Sequence, residues 1–356
     1  MKFAVLGAGN GGQAISGWLA MQGHEVWLYE IIKERVDALA QTNQIRLCGE
    51  IEGVGKLKCV TMDVHATVKG TDVIMVVTTA NAHASVARDI ADDLVDGQII
   101  ILNPGRTGGA LEFKRTLEAC GCKARVYVAE AQTLVYAARL VEDGVVRIIG
   151  VKDKVLLSAV PSSDTDYVLS KISPVYPCFC AAENVLRTSL ENIGAMFHPC
   201  VLLFNAATVE RNSVFWFYRD MTPKIADFIE KFDRERLAVG KAYGIDLLSV
   251  SDWISYAYPG TQGNTLCEKM KNNPAYRDIK SPSTIFTRLL TEDIPTGVLP
   301  IMELGEVAGV PVPLMRSMVE ICGNLLDIDF RKKGRSLEHL GLAGKTKEEI
   351  IEYLSR

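Results

Sequence analysis

Near its start the chain reads KFAVLGAGNGGQAISGWLAMQGHEVWLYE, from Lys2 to Glu30, and the glycines in this stretch leave few folds open. Lys2 to Leu6 is a short, mostly apolar run with Phe3 and Val5, the pattern of a buried parallel strand. Gly7, Gly9 and Gly12 then occupy the glycine positions of G-x-G-x-x-G, with Asn10 inside the turn. Ala14, Ile15, Trp18, Leu19 and Met21 follow at helical spacing, so the motif joins a strand to a helix. In that setting Gly7 permits the sharp turn and Gly9 has no side chain to hold a pyrophosphate off the backbone. Gly12 lets helix and strand close on each other, with the phosphates at the helix N-terminus. Gly23 ends the helix, and the next apolar run ends at Glu30, an acid about 20 residues beyond the glycines, where a partner for the adenosine ribose hydroxyls belongs. A plain tight turn would need none of this context. NAD(H) is the favoured cofactor, because the Glu30 carboxylate repels a 2′-phosphate. Lys33 and Arg35 follow closely enough to reach such a phosphate, which keeps NADP(H) open.

The alternation continues through VTMD (Val60 to Asp63), TDVIMVVTT (Thr71 to Thr79), GQIIILNPG (Gly97 to Gly105) and ARVYVAE (Ala124 to Glu130). It predicts an α/β N-terminal domain of the Rossmann type, with a doubly wound parallel sheet. Thr78 and Asn103 follow two of its strands, at the carboxyl edge where such sheets bind ligands, although Asn and Pro are also ordinary turn residues. Further β-like runs come at Val145 to Val151 and Val155 to Val160, and then the Pro-rich PVYP, Pro174 to Pro177. From Asn184 onward the pattern is helical. The expected organisation is a dinucleotide-binding domain over residues 1–180 and an all-α domain over 181–356.

Other function classes fit poorly. The 356 residues are 48% hydrophobic and 23% charged with a net charge of −4, an ordinary soluble composition that gives no reason to expect nucleic acid. The basic cluster RKKGR, Arg331 to Arg335, reads as a solvated turn. No apolar run is long enough to span a bilayer, so no membrane partner is expected. Nine cysteines, an odd number, are scattered along the chain. The C-x-C pairs at Cys120 and Cys122 and at Cys178 and Cys180 lack a second pair or histidines at zinc spacing. Free thiols in the cytoplasm and no metal site are the expectation.

A hydride-transferring enzyme needs a proton donor or acceptor beside the carbon that is reduced, and histidine is the commonest choice near neutral pH. Of the five histidines, His198 sits in NIGAMFHP, in the helical half, where Pro199 suggests a helix break. A histidine among apolar residues is equally at home as a core residue. TRLLTEDIPTG, Thr287 to Gly297, places Arg288 and Asp293 five apart. Arg288 suits a carboxylate gripped by two parallel hydrogen bonds, and Asp293 suits an imidazole; a surface ion pair is the plainer reading.

Several stretches taken together resemble the opine dehydrogenases of the octopine/nopaline dehydrogenase family: the opening AVLGAGNGGQAISGWLAMQGHEV, ILNPGRTGGALEF, EAQTLVYAAR, SLENIGAMFHP and TRLLTEDIPTGVLP. The resemblance runs over most of the chain. It implies an NAD(P)H-driven reductive condensation of an α-keto acid, often pyruvate, with the amino group of an amino acid. It also implies that His198 is the catalytic acid/base, Asp293 its orienting partner and Arg288 a substrate-carboxylate binder. Thr133 and Asn103 are further candidates for the wall facing the cofactor, and Tyr258, in SYAYPG, for the substrate pocket. Arg316, Arg331 and Arg335 compete for a second carboxylate. A homodimer is carried as an open expectation. The rival readings are a two-domain keto-acid reductase of the ketopantoate reductase or glycerol-3-phosphate dehydrogenase type and a non-catalytic NAD(H) sensor.

Overall fold

In the computed structural model, which describes residues 1–355, the run Lys2–Leu6 forms β1, and its apolar members from Phe3 to Leu6 are fully buried. Asn10–Met21 follows as helix α1, starting at the expected glycines. The chain separates into two units, Met1–Thr188 together with Leu354 and Ser355, and Ser189–Tyr353.

The first unit holds twelve strands in two sheets. After β1 come β2 (Glu25–Tyr29), β3 (Gln44–Gly49), β4 (Gly53–Lys56), β5 (Cys59–Thr61), β6 (Val73–Val76) and β7 (Ile99–Leu102). Then come β8 (Tyr127–Ala131), β9 (Tyr136–Glu142), β10 (Val145–Val151), β11 (Val155–Val160) and β12 (Phe179–Ala181). The main sheet has the order β12-β11-β8-β7-β6-β1-β2-β5. It is parallel from β8 through β5, while β11 runs antiparallel to β8. The central strands β6 and β7 are apolar along their length and buried on both faces, as parallel strands covered by helices must be. Burying each such Val, Leu or Ile stabilises the unit by roughly 1.5–3 kcal/mol.

A second, four-stranded sheet, β4-β3-β10-β9, was not foreseen. Its β9 and β10 form a hairpin turned by Asp143–Gly144, where Gly144 has φ of 89°, a left-handed backbone that glycine adopts at no cost. The division expected after residue 180 falls inside β12. Leu157 pairs with Ala181 and accepts the Ala182 amide at 2.9 Å, which binds this segment into the first unit, and the units part only after Thr188.

The second unit is helical, apart from a single Trp216–Lys280 bridge among the described residues. Its long helix Pro223–Ala242 starts with Thr222, whose hydroxyl accepts from the Ile225 amide, and with Pro223 at the first turn, where a missing N–H costs nothing. His198 and Pro199 lie inside the helix Ile193–Phe204, so the proline does not break it as expected. Proline inside a helix costs about 3 kcal/mol. Here Ile193, Met196, Phe197, Val201 and Leu202 are all buried, and packing outweighs that cost.

Arg236 is wholly buried in this unit. Its Nε donates to Asp233 Oδ1 at 2.7 Å, and its terminal nitrogens donate to the carbonyls of Leu190 (2.9 Å) and Leu248 (2.6 Å). Asp233 in turn accepts the Val250 amide at 2.8 Å. One guanidinium thus ties three segments together. Arg236→Met is expected to leave the Asp233 carboxylate buried and unpaired, destabilising the unit by about 3–5 kcal/mol. A urea titration of the intact protein checks this, and an unmoved midpoint would show that the ion pair only balances its own desolvation.

Candidate active site

At the carboxyl edge of the main sheet the glycines behave as the fingerprint requires. Gly7 has φ of 103°, and a Cβ on Gly12 would overlap the Gly7 carbonyl oxygen. A Cβ on Gly9 would meet nothing within 4 Å, so the space in front of it is open. No side chain caps the start of α1, and the Thr78 hydroxyl, at the end of β6, is buried without a hydrogen-bond partner among the described residues. An open backbone cradle, uncapped helix amides and an unspent hydroxyl fit a dinucleotide pyrophosphate.

Glu30 is buried at the end of β2. Its Oε1 accepts the amides of Ile31 (2.8 Å) and Ile32 (3.2 Å), and its Oε2 accepts the Ala8 amide and the Arg35 guanidinium, each at 3.1 Å. Arg35 also donates to Asp143 at 2.9 Å, and Lys33 is paired with Asp37 at 2.6 Å. Gln13 completes the bracing: its amide donates to the Ala8 carbonyl and to Asp143, and accepts the Gly144 amide. The Asn10 side chain accepts the Leu140 amide at 2.9 Å, so it joins α1 to β9. Asn103 is buried, and its amide nitrogen donates to the Ile101 carbonyl and the Met75 sulfur.

Thr133 follows β8. Its hydroxyl accepts from Lys152 Nζ at 2.9 Å, and the same ammonium donates to the Leu134 carbonyl at 2.7 Å. Burial pulls Lys152 down to about 8. A Cβ on Gly11 would come within 3.0 Å of the Leu134 side chain, so this loop lies against the glycine turn.

The helical unit brings His198 and Asp293 together. His198 Nδ1 donates to Asp293 Oδ2 at 2.6 Å, with Asp293 buried and the imidazole 16% exposed. The carboxylate only accepts, which fixes the proton on Nδ1. The contact depends on close packing. Asp293 precedes a π-helical turn, Ile294–Val298, whose wider spacing shows in the Val298 amide bonding the Asp293 carbonyl at 3.0 Å. A Cβ on Gly297 would lie 2.5 Å from Ala195 Cβ on the histidine's own helix, so only glycine lets the two segments come this near.

On its other side His198 Nε2 is 2.8 Å from the Tyr218 hydroxyl. Tyr218 is buried and stacks on Tyr276, with centroids 4.4 Å apart and planes at 22°, and Tyr276 meets Tyr258 edge-on at 5.1 Å. An aromatic row thus leads from His198 through Tyr218 and Tyr276 to Tyr258. Arg288 begins the turn Arg288–Thr291 with its side chain 61% exposed and its guanidinium 3.6 Å from Glu292. Arg316 and Arg331 pair with Glu306 and Glu303, while Arg335 is buried and its amide bonds the Pro295 carbonyl, beside the π turn.

Tyr218, Gln13, Asp143 and Lys152 are not singled out by the sequence. Asp143–Gly144 carried a usable signal, the D-G pair of a hairpin turn. Tyr218, in WFYRD, carried none.

Comparison with known proteins bears on both units. Residues 181–326 match the family described as NAD/NADP octopine/nopaline dehydrogenase, alpha-helical domain, and residues 2–105 match the NAD-dependent glycerol-3-phosphate dehydrogenase N-terminus. An opine dehydrogenase of Arthrobacter sp. (strain 1C) is 38% identical over 346 residues, 97% of this chain and 96% of its own length. A solved octopine dehydrogenase in complex with NADH and L-arginine has the same fold, with a TM-score of 0.79 at 20% identity over 99% of this chain and 98% of the other. A yersinopine dehydrogenase bound to NADP+ also shares it, with a TM-score of 0.71 at 13% identity over 99% and 97%. A relative of this identity along nearly the whole length, together with the matched helical domain, establishes that the chain belongs to the octopine/nopaline family of NAD(P)-dependent opine dehydrogenases.

Proposed function

We propose that this enzyme joins an α-keto acid, pyruvate or a close analogue, to the amino group of an amino acid and reduces the adduct to a secondary amine dicarboxylate. The observation that carries this reading is His198, held by a buried carboxylate at 2.6 Å in the helical unit that defines the family. The amine must lose a proton to attack the carbonyl, and the carbonyl oxygen must gain protons to leave as water. An imidazole oriented at Nδ1 by Asp293 takes and returns a proton at Nε2. When bound, the reduced nicotinamide supplies the hydride.

Arg288 is assigned to a substrate carboxylate, since one long contact to Glu292 leaves its planar fork able to make a bidentate pair. Tyr258 belongs to the substrate pocket through its row of rings, and Thr133 to the wall that faces the substrate and cofactor. Gly9, Asn10 and Gly12 hold the pyrophosphate through backbone groups, on the turn that Gly7 shapes with its amide on the Tyr29 carbonyl, and Thr78 and Asn103 stand at the neighbouring strand ends.

The cofactor is NADH in preference to NADPH. Glu30 presents a carboxylate where the ribose hydroxyls belong, and both cations that follow it are already neutralised, Arg35 by Glu30 and Asp143 and Lys33 by Asp37. A 2′-phosphate would meet a carboxylate, with Arg35 and Lys33 already spent.

NADH oxidation is expected to require both a keto acid and an amino acid; equal turnover with the keto acid alone would sink the condensation in favour of a simple reductase. His198→Ala should lower kcat by about 10²–10⁴-fold, the usual worth of a general acid/base, with NADH affinity retained. Comparing kcat/KM for the two cofactors should favour NADH, with Glu30→Ala narrowing the ratio by removing the repelling carboxylate and leaving Arg35 with Asp143 as its one acidic partner among the described ion pairs. A wild-type preference for NADPH would overturn the cofactor assignment.

A further inference from the structure

We propose that Tyr218 is a second catalytic residue, the group through which His198 exchanges its proton with the substrate; the proposal rests on the condensation reading above. Both ring nitrogens of His198 are taken, Nδ1 by Asp293 at 2.6 Å and Nε2 by the Tyr218 hydroxyl at 2.8 Å. A substrate can reach Nε2 directly only if the tyrosine leaves. The tyrosine is poorly placed to leave. Its ring is buried, stacks on Tyr276 at 4.4 Å, and meets Phe217 edge-on at 4.9 Å and Phe197 at 6.3 Å. A ring clamped on several sides holds its hydroxyl in one position, which suits a fixed proton path better than a gate.

The direction of the Nε2–hydroxyl bond depends on the charge of the imidazole. With Nδ1–H committed to Asp293, a neutral His198 has an acceptor at Nε2, and the Tyr218 O–H donates to it. Once Nε2 is protonated the bond reverses: Nε2–H donates to the phenol oxygen, and the phenol O–H is released to point at another acceptor. That acceptor is the hydroxyl of the carbinolamine formed from the keto acid and the amine.

The dehydration step then balances. The Tyr218 proton passes to the departing hydroxyl as its C–O bond breaks, and water leaves. The nitrogen lone pair forms the C=N bond of the iminium, and the Nε2 proton restores the phenol. His198 ends neutral, with Asp293 unchanged, ready to take the proton that the next amine loses on attacking the carbonyl. Neither oxidant nor reductant is consumed in this step.

Tyr218→Phe removes the hydroxyl and keeps the ring that stacks on Tyr276. It is expected to lower kcat about 10²-fold, within the range of a lost general acid, while the dissociation constant for NADH and the melting midpoint stay near those of wild type. A kcat within twofold of wild type would overturn the proposal. Rates are read as ratios to wild type on the same keto acid and amino acid, so a wrong substrate pair shows in the wild-type rate and not in the ratio. Should Tyr218→Phe melt several degrees lower, 3-fluorotyrosine at position 218 carries the test, since it keeps the hydroxyl and changes only its acidity. A proton relay then shows a kcat that moves with phenol acidity across the pH range, and a kcat that does not move overturns it.

Discussion

The bond between His198 Nδ1 and Asp293 Oδ2, 2.6 Å long and largely out of solvent, is the interaction that the rest of the helical unit is arranged to hold. The two residues lie 95 positions apart in the chain, so neither local propensity nor helix spacing places them. Their meeting is a packing outcome. Gly297 and Ala195 remove the side-chain bulk that would keep the two segments apart, and the π turn after Asp293 rotates the chain so that the carboxylate faces the imidazole. The Arg335 amide on the Pro295 carbonyl pins that turn from the other side. A hydrogen bond to a charged acceptor is worth little more than about 1.5–3 kcal/mol in itself. What the scaffold adds is that the imidazole has one orientation and one tautomer, so Nε2 always faces the tyrosine.

The dinucleotide unit solves a different problem. Its ligand edge must keep amides unpaired without leaving the turn loose. The structure does this by bonding the side chains around the turn to one another: Glu30 to the Ala8 amide and Arg35, Arg35 to Asp143, Gln13 to the Ala8 carbonyl and the Asp143–Gly144 turn, and Asn10 to Leu140. Much of this bracing comes from the β9–β10 hairpin of the second sheet. That sheet therefore braces the glycine turn and Glu30, although it lies outside the parallel core.

How much of this the sequence revealed follows from range. The glycine turn, its flanking strand and helix, and Glu30 are local, and each is readable within about 30 residues. His198 and Asp293 were recognisable as residue types and as members of a family pattern, but their contact could not be derived from spacing. The second sheet was hidden because the pairing that joins its two hairpins, β3 with β10, brings together segments about a hundred residues apart, and β4 is a four-residue strand with glycine at two positions. Pro199 misled for a related reason. Proline argues against a helix locally, and only the burial of its neighbours, a tertiary fact, overrides that preference. Tyr218 lies outside any named helix or strand, and a tyrosine hydroxyl announces its partner through no periodicity at all.

The helical unit is also held by buried charges at places where an apolar core would be expected. Arg236 is enclosed among carbonyls and Asp233, and Glu235, one residue before it, accepts the Leu314 and Met315 amides at the start of the helix Pro313–Leu326. Burial pushes the Glu235 carboxyl up, and the two amides draw it back toward its charged form. Such groups add little net stability over apolar residues of the same size, because desolvation offsets their attraction. Their value lies in direction. An apolar contact tolerates small slips of one helix along another, whereas a guanidinium bonded to the Leu190 and Leu248 carbonyls and to Asp233 at once does not. Leu190 lies three residues before the helix that carries His198. A fixed start for that helix is what a proton path with a 2.6 Å bond on one side and a 2.8 Å bond on the other requires.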